Sequence, residues 1–327
     1  LGIVIGLFLP NTDFHLNTEL FLALVIGPLL FRESEEADIT AILKHWRIII
    51  YLIFPVIFIS TLSLGGLAHL LWFSLPLAAC LAVGAALGPT DLVAFASLSE
   101  RFSFPKRVSN ILKGEGLLND ASGLVAFQVA LTVWTTGAFS LGQASSSLIF
   151  SILGGFLIGF LTAMTNRFLH SFLLSVRATD IASELLLELS LPLVTFFLAE
   201  EVHVSGIIAV VVAGILKASR FKKITLLEAQ VDTVTETVWH TVNFMLNGSV
   251  FVILGMELEM IAEPILTNPI YNPLLLLLSL VALTFVLFAI RFVMIYGYYA
   301  YRTRRLKKKL NKYMKDMLLL TFSGVKG

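Results

Sequence analysis

Three carboxyl groups sit in runs of sequence that offer them little water. Asp91 lies in AALGPTDLVAF, and Glu115 and Asp120 lie in KGEGLLNDASGLVAF, among Leu, Val, Ala and Gly. Glu184, Glu188 and Glu236 are set less deeply, within a turn or two of the ends of their apolar runs. Of the cations, Arg291 and Lys326 stand inside apolar segments. Ionisable groups in such places are costly and pair with one another or line ion and proton pathways. Desolvation favours the protonated form of an unpaired carboxyl. A carboxyl poised near neutral pH can trade its proton for a cation, so ion and proton handling is the chemistry these residues suit.

The spacing adds detail. Pro89 removes an amide donor in mid-run and Gly88 loosens the backbone beside it, so the helix should break there. Thr90 and Asp91 then stand where a second half-helix begins. Asp91 can cap that half-helix, or it can serve an ion site, because broken backbone in a membrane survives where it lines a cavity. Both roles stay open. Glu115 and Asn119 are four residues apart and share a helix face. Asp120 is one residue further round, roughly 10–20 Å from the basic end of its helix at the rise of an α-helix. The other reading of Asp120 is a permanently protonated or salt-bridged structural acid. Arg291 lies ~15 Å from the basic end of its own helix, too deep to snorkel. A lone Arg there costs at least ~2.5 kcal/mol, so a buried partner is expected, and a structural ion pair with Glu115 is the preferred arrangement.

The elements that must hold these groups follow from composition. Of 327 residues, 57% are hydrophobic and 14% charged, against roughly 25% charged in soluble domains. Mean hydropathy is +0.89. A soluble globule, a disordered chain and a nucleic-acid binder with a basic stripe are all excluded, and a net charge of +1 gives no overall field. Apolar segments recur at 1–9, 20–31, 48–73, 75–98, 108–136, 148–169, 181–200, 204–219, 232–258, 273–300 and 316–327. In lipid nearly all of these should be helical. All Lys and Arg except Arg291 and Lys326 fall in alternate connections, at 32–47, 99–113, 166–180, 217–231 and 301–315. That alternation supports the span assignment and predicts that these connections face the cytoplasm. The first run is too short to span and the chain ends inside another, so a fragment of a longer membrane protein is expected. The single cysteine, Cys80, lies in an apolar run and reads as inert packing. His45, His170, His203 and His240 lie near span ends, where ordinary interfacial placement outweighs pH sensing. No cluster with metal-ligand spacing, nucleophile elbow or phosphate-cradling glycine loop occurs.

At the acidic motifs the chain resembles the monovalent cation:proton antiporter-1 family, the NhaP-type bacterial Na⁺/H⁺ exchangers. GPTDLVAF followed by GEGLLNDASGLVAF carries the resemblance. IGPLLFRESEEADI, LAEEVHVSGIIAVVVAG, NFMLNGSVFVILGMEL and SGVKG follow the family's order and extend it over nearly the whole chain. The resemblance implies an all-α polytopic membrane protein with inverted repeats and two broken helices that cross at the midplane. It implies that Asp120 binds the cation or the proton, that Asn119 orients the site, and that Thr90 and Asp91 supply further oxygens to Na⁺. It also implies the Glu115–Arg291 pair, Glu33 as a further acid near the ion, and Lys326 in the second broken helix. Gly116 stands where some family members carry Ser, so a hydroxyl from that position is absent here. The resemblance implies that parts of the family domain should lie beyond both ends of the chain, and these residues alone are not expected to transport.

The expected function is electroneutral exchange of Na⁺ (or Li⁺) for H⁺ by competition at one buried Asp, with alternating access. It requires no cofactor beyond the transported ions, and the chain is not expected to be an enzyme. A scaffold of 1–31 plus 181–258 would form a homodimer, and a core of 48–136 plus 273–327 would carry the ion, with 148–169 as a linker helix. The expected setting is a bacterial plasma membrane, with lipid and monovalent cations as partners. Exchange of K⁺ for H⁺ is the nearer alternative. A proton-uncoupled channel or sensor is a more distant one, and an aspartyl protease using Asp91 and Asp120 more distant still.

Overall fold

The computed structural model describes residues 2–8, 17–90, 95, 99, 102–136, 141–176, 180–218, 226–267, 272–305, 307 and 310–324. Among them every regular element is helical, and each of the eleven apolar segments carries helix. Among the described residues, five helices are long and apolar enough to cross a bilayer: Trp46–Leu71, Ile149–Leu173, Ile181–Glu201, Thr233–Leu258 and Pro273–Arg305. The chain is an integral, polytopic, all-α membrane protein.

It divides into two compact units, Leu1–Glu36 with Ile149–Pro273, and Ala37–Leu148 with Leu274–Gly327. In the first, Gly206–Ala218 packs along Gly27–Glu36 and against Ile181–Glu201, while Gly2–Phe8 lies on Leu226–Thr267. Asp180 starts the Ile181–Glu201 helix by accepting from the Ser183 amide at 2.9 Å. At its far end Val202 and His203 turn the chain, His203 with φ of 59°.

In the second unit a core of Ile48, Leu52, Val56, Val108, Ile111, Ile295, Tyr299, Met317 and Leu320 joins the Trp46–Leu71, Lys106–Thr136, Pro273–Arg305 and Met314–Phe322 helices. Cys80 is buried in a neighbouring cluster with Leu64, Ala68, Leu283 and Leu287. Inside Trp46–Leu71 the backbone widens to a π-helical turn over Leu52–Val56 around Pro55. A proline lacks the amide of a regular turn and crowds the carbonyl four residues back, and a wider turn relieves both. A π-helical turn also precedes Pro28, at Leu22–Ile26.

Helix ends differ from the apolar limits. Helix begins at Leu141 inside the connection 137–147 and continues to Thr267 inside 259–272. Hydropathy marks the part of a helix that meets lipid, and helix-tolerant polar residues carry the backbone past it. A short helix, Ile39–Leu43, also forms within a basic connection, capped by Asp38.

Candidate functional site

The site is built on the break expected at Gly88–Pro89. Leu77–Ala86 ends before Pro89, and Leu87 to Thr90 leave the helix. Thr90 and Asn119 are both buried. The Asn119 Nδ2 donates to the Thr90 carbonyl at 3.1 Å and is also against the Thr90 hydroxyl. An amide side chain of a continuous helix therefore satisfies the carbonyl exposed where the chain has left Leu77–Ala86. Gly123, one turn further along, makes room for this: a Cβ there would run into the Pro89 ring. Ser122 Oγ donates to the Asn119 carbonyl at 2.8 Å and approaches the Ile53 carbonyl at 3.3 Å, tying the same turn to the π-helical stretch. With its amide nitrogen engaged, Asn119 keeps Oδ1 buried and, among the described residues, without a hydrogen-bond donor.

One turn before Asn119, Glu115 meets Arg291. Arg291 Nη1 donates to Glu115 Oε1 at 2.6 Å and Nη2 to Oε2 at 2.8 Å, with the side chains 3% and 1% exposed. This is the two-pronged geometry that makes Arg–carboxylate pairs strong. Arg291 Nε donates to the Leu320 carbonyl at 3.0 Å, near the end of Met314–Phe322. Gly324 lies over the guanidinium, and a Cβ at that position would strike it. One guanidinium thus fastens three elements: its own helix, the one carrying Glu115 and Asn119, and the last one.

The other candidates fall as follows. Asp120 continues the Lys106–Thr136 helix, its side chain lying outside the described residues, as do Asp91 and Lys326. Gly116 is buried. Glu33 belongs to the first unit, half-buried on Gly27–Glu36.

The first unit holds a second charged group that sequence reasoning passed over. Lys217 Nζ lies 3.3 Å from Glu35 Oε1 and pairs with Glu188 Oε1, which also accepts from Trp239 Nε1 at 3.2 Å. Arg32 pairs with Glu35 at 2.9 Å and Glu36 at 2.7 Å and lies 5.9 Å from the Trp239 ring. Arg32 and Lys217 sit in basic connections, which hid them among the residues that set orientation. Two signals were available: Arg32 with Glu35 and Glu36 at helical spacing, and Glu188 two turns inside an apolar helix.

The family model for the sodium/hydrogen exchanger, transmembrane, matches residues 1–327. The chain belongs to the sodium/hydrogen exchanger family. It is 34% identical, over its whole length and 49% of the relative's, to the "Sodium, potassium, lithium and rubidium/H(+) antiporter" of Bacillus pumilus (strain SAFR-032). It is 30% identical, over 99% of its length and 61% of the relative's, to the "Uncharacterized Na(+)/H(+) exchanger YjcE" of Escherichia coli (strain K12). The chain thus spans about half to three-fifths of the length of these curated relatives. Its fold resembles that of the sodium proton antiporter MjNhaP1 from Methanocaldococcus jannaschii at pH 8, with a TM-score of 0.57 and 18% identity over 78% of this chain and 63% of the other.

Proposed function

We propose that this protein exchanges Na⁺ or Li⁺ for H⁺ across a membrane by competition at Asp120. It acts as a transporter and not as an enzyme. The observation that carries this reading is the Asn119–Thr90 contact. It brings an opened backbone turn against the helix turn that bears Asp120, and it leaves the Asn119 Oδ1 as a buried acceptor with no donor among the described residues. Buried oxygens beside a carboxylate are ligands that suit a hard monovalent cation. Thr90, Asp91 and Asp120 would complete the oxygen shell. Glu115 and Arg291 neutralise each other and would hold the site in place.

One carboxylate that binds either a cation or a proton exchanges them one for one, which makes the cycle electroneutral. Access would alternate as the ion-carrying part, 48–136 with 273–327, moves against a dimer-forming scaffold of 1–31 and 181–258, with 148–169 between them. The basic connections would face the cytoplasm of a bacterial plasma membrane. Full-length protein in liposomes that enclose a pH-sensitive dye tests this. An imposed Na⁺ gradient should move protons, and clamping the membrane potential should leave the rate unchanged. Cation flux without proton movement would instead indicate a channel or a sensor.

A second reading widens the ion to K⁺. Two observations favour it: Gly116 supplies no hydroxyl, and the Bacillus relative is named for sodium, potassium, lithium and rubidium. Dose–response curves for Na⁺, Li⁺, K⁺ and Rb⁺ in the same liposomes separate the two readings.

A further inference from the structure

We propose that the described residues of three segments of the second unit, 44–47, 106–107 and 299–315 (in the last, 299–305, 307 and 310–315), together form a binding surface for the phosphate headgroups of anionic lipids. The stretch 301–315 holds eight Lys or Arg and no Asp or Glu, whereas the other basic connections hold two to four Lys or Arg each. That excess exceeds what orientation requires, and the fold concentrates it. The Arg107 guanidinium lies 5.6 Å from the Tyr299 ring and 5.1 Å from the Tyr313 ring, and it donates to the Tyr299 hydroxyl at 3.3 Å. Burial, together with the charges of Arg107, Lys44 and Arg302, holds the His45 imidazole below its ordinary range. The three segments therefore share one positive field. Asp316 takes up part of the Arg107 charge at 3.5 Å. Arg302, Arg304, Arg305, Lys307, Lys312 and Lys315 remain exposed, and none of the three segments contains an acid.

Depth points to lipid as the occupant. Trp46 and Tyr301, at the ends of the apolar helices Trp46–Leu71 and Pro273–Arg305, are 50% and 69% exposed. Amphipathic rings at the ends of spanning helices settle at headgroup level, and Arg47 stacks on Trp46 at 5.5 Å. The cations beside these rings are then level with lipid phosphates, where polybasic segments are held by anionic membranes and guanidinium groups grip phosphate with two hydrogen bonds. The surface also joins the helix that carries Arg291 to the helix whose Leu320 carbonyl receives it. A bound lipid would brace that connection. The inference concerns binding alone and stands apart from the exchange reaction.

The test uses the purified chain in neutral detergent, titrated with phosphatidylglycerol, phosphatidylcholine or soluble glycerol phosphate, with retention and thermal stabilisation as readouts. Phosphatidylglycerol should bind at least about tenfold more tightly than phosphatidylcholine, with roughly fivefold lost per charge removed. Raising the salt should erode the preference. Changing Arg304, Arg305, Lys312 and Lys315 together to Gln should abolish it, whereas Arg304→Lys, Arg305→Lys, Lys312→Arg and Lys315→Arg together should keep it. Equal binding of the two lipids, a preference retained by the Gln variant, or glycerol phosphate matching phosphatidylglycerol would each overturn the proposal. If the Gln variant does not fold, the wild type decides, since a preference insensitive to salt also overturns it.

Discussion

In the second unit one guanidinium meets one carboxylate edge to edge; in the first, Lys217 lies between Glu35 and Glu188, and Arg32 shares Glu35 from the other side. The Glu115–Arg291 pair is almost wholly shut off, and its donors and acceptors are matched atom for atom. The Lys217 group is looser, with its charged side chains 7–16% exposed, and Glu35 has two cations to turn to. The difference teaches where a membrane protein places each kind of pair. A closed fork suits a depth at which no water can substitute for a lost partner. A shared network suits a helix end, where water and neighbouring charges can.

The comparison breaks most visibly at Arg291. Arg291→Met leaves Glu115 buried and unpaired, which should cost about 3–5 kcal/mol in thermal unfolding of the purified protein. Adding Glu115→Gln should restore at least half of the loss. Equal losses in the single and double variants would show that Arg291 acts through packing and not through the pair. Next comes Gly324→Ala, whose Cβ would push on the same guanidinium. Overpacking of that kind costs about 1–3 kcal/mol, and the loss should shrink when Arg291 is already Met. Lys217→Met should cost less than Arg291→Met, about 1–2 kcal/mol, because Arg32 still holds Glu35 and Trp239 still holds Glu188. A cost equal to that of Arg291→Met would erase the distinction between the two groups.

The smallest effect is expected at Asp180, at the exposed start of Ile181–Glu201. The Ser183 hydroxyl and amide hold its carboxyl below the usual range. A carboxyl lowered by folding stabilises fully above its unfolded pKa, and the contribution is lost as pH falls through the lower folded value. Asp180→Asn keeps a capping oxygen but does not titrate. It should leave neutral-pH stability in place and flatten the acid limb of a melting-temperature profile. An unchanged acid limb would remove Asp180 from the account.

What the sequence made legible, and what it hid, follows from how local each signal is. The break before Thr90 was readable because a proline in an apolar run leaves one local outcome, and the structure ends Leu77–Ala86 there. The need for a partner at Arg291 was readable because charge at that depth has few alternatives. The Lys217 group was not, because a lysine at a helix end in a basic connection already has an explanation in topology. The hydrogen bond from Asn119 to the Thr90 carbonyl was hidden as well. The spacing put Asn119 and Glu115 on one face, but which backbone group a broken helix presents to that face depends on tertiary packing. Gly123 against Pro89 belongs to the same kind.

The central claim is that one carboxyl group, Asp120, carries cation and proton in turn. Full-length wild-type protein and the Asp120→Asn variant, reconstituted at equal density in liposomes with an internal pH dye, test it most directly under a Na⁺ gradient. The account predicts rapid proton movement in the wild type and none above protein-free liposomes in the variant, with both proteins unfolding at similar temperatures. Proton-coupled Na⁺ exchange by Asp120→Asn at a rate near that of the wild type would contradict it.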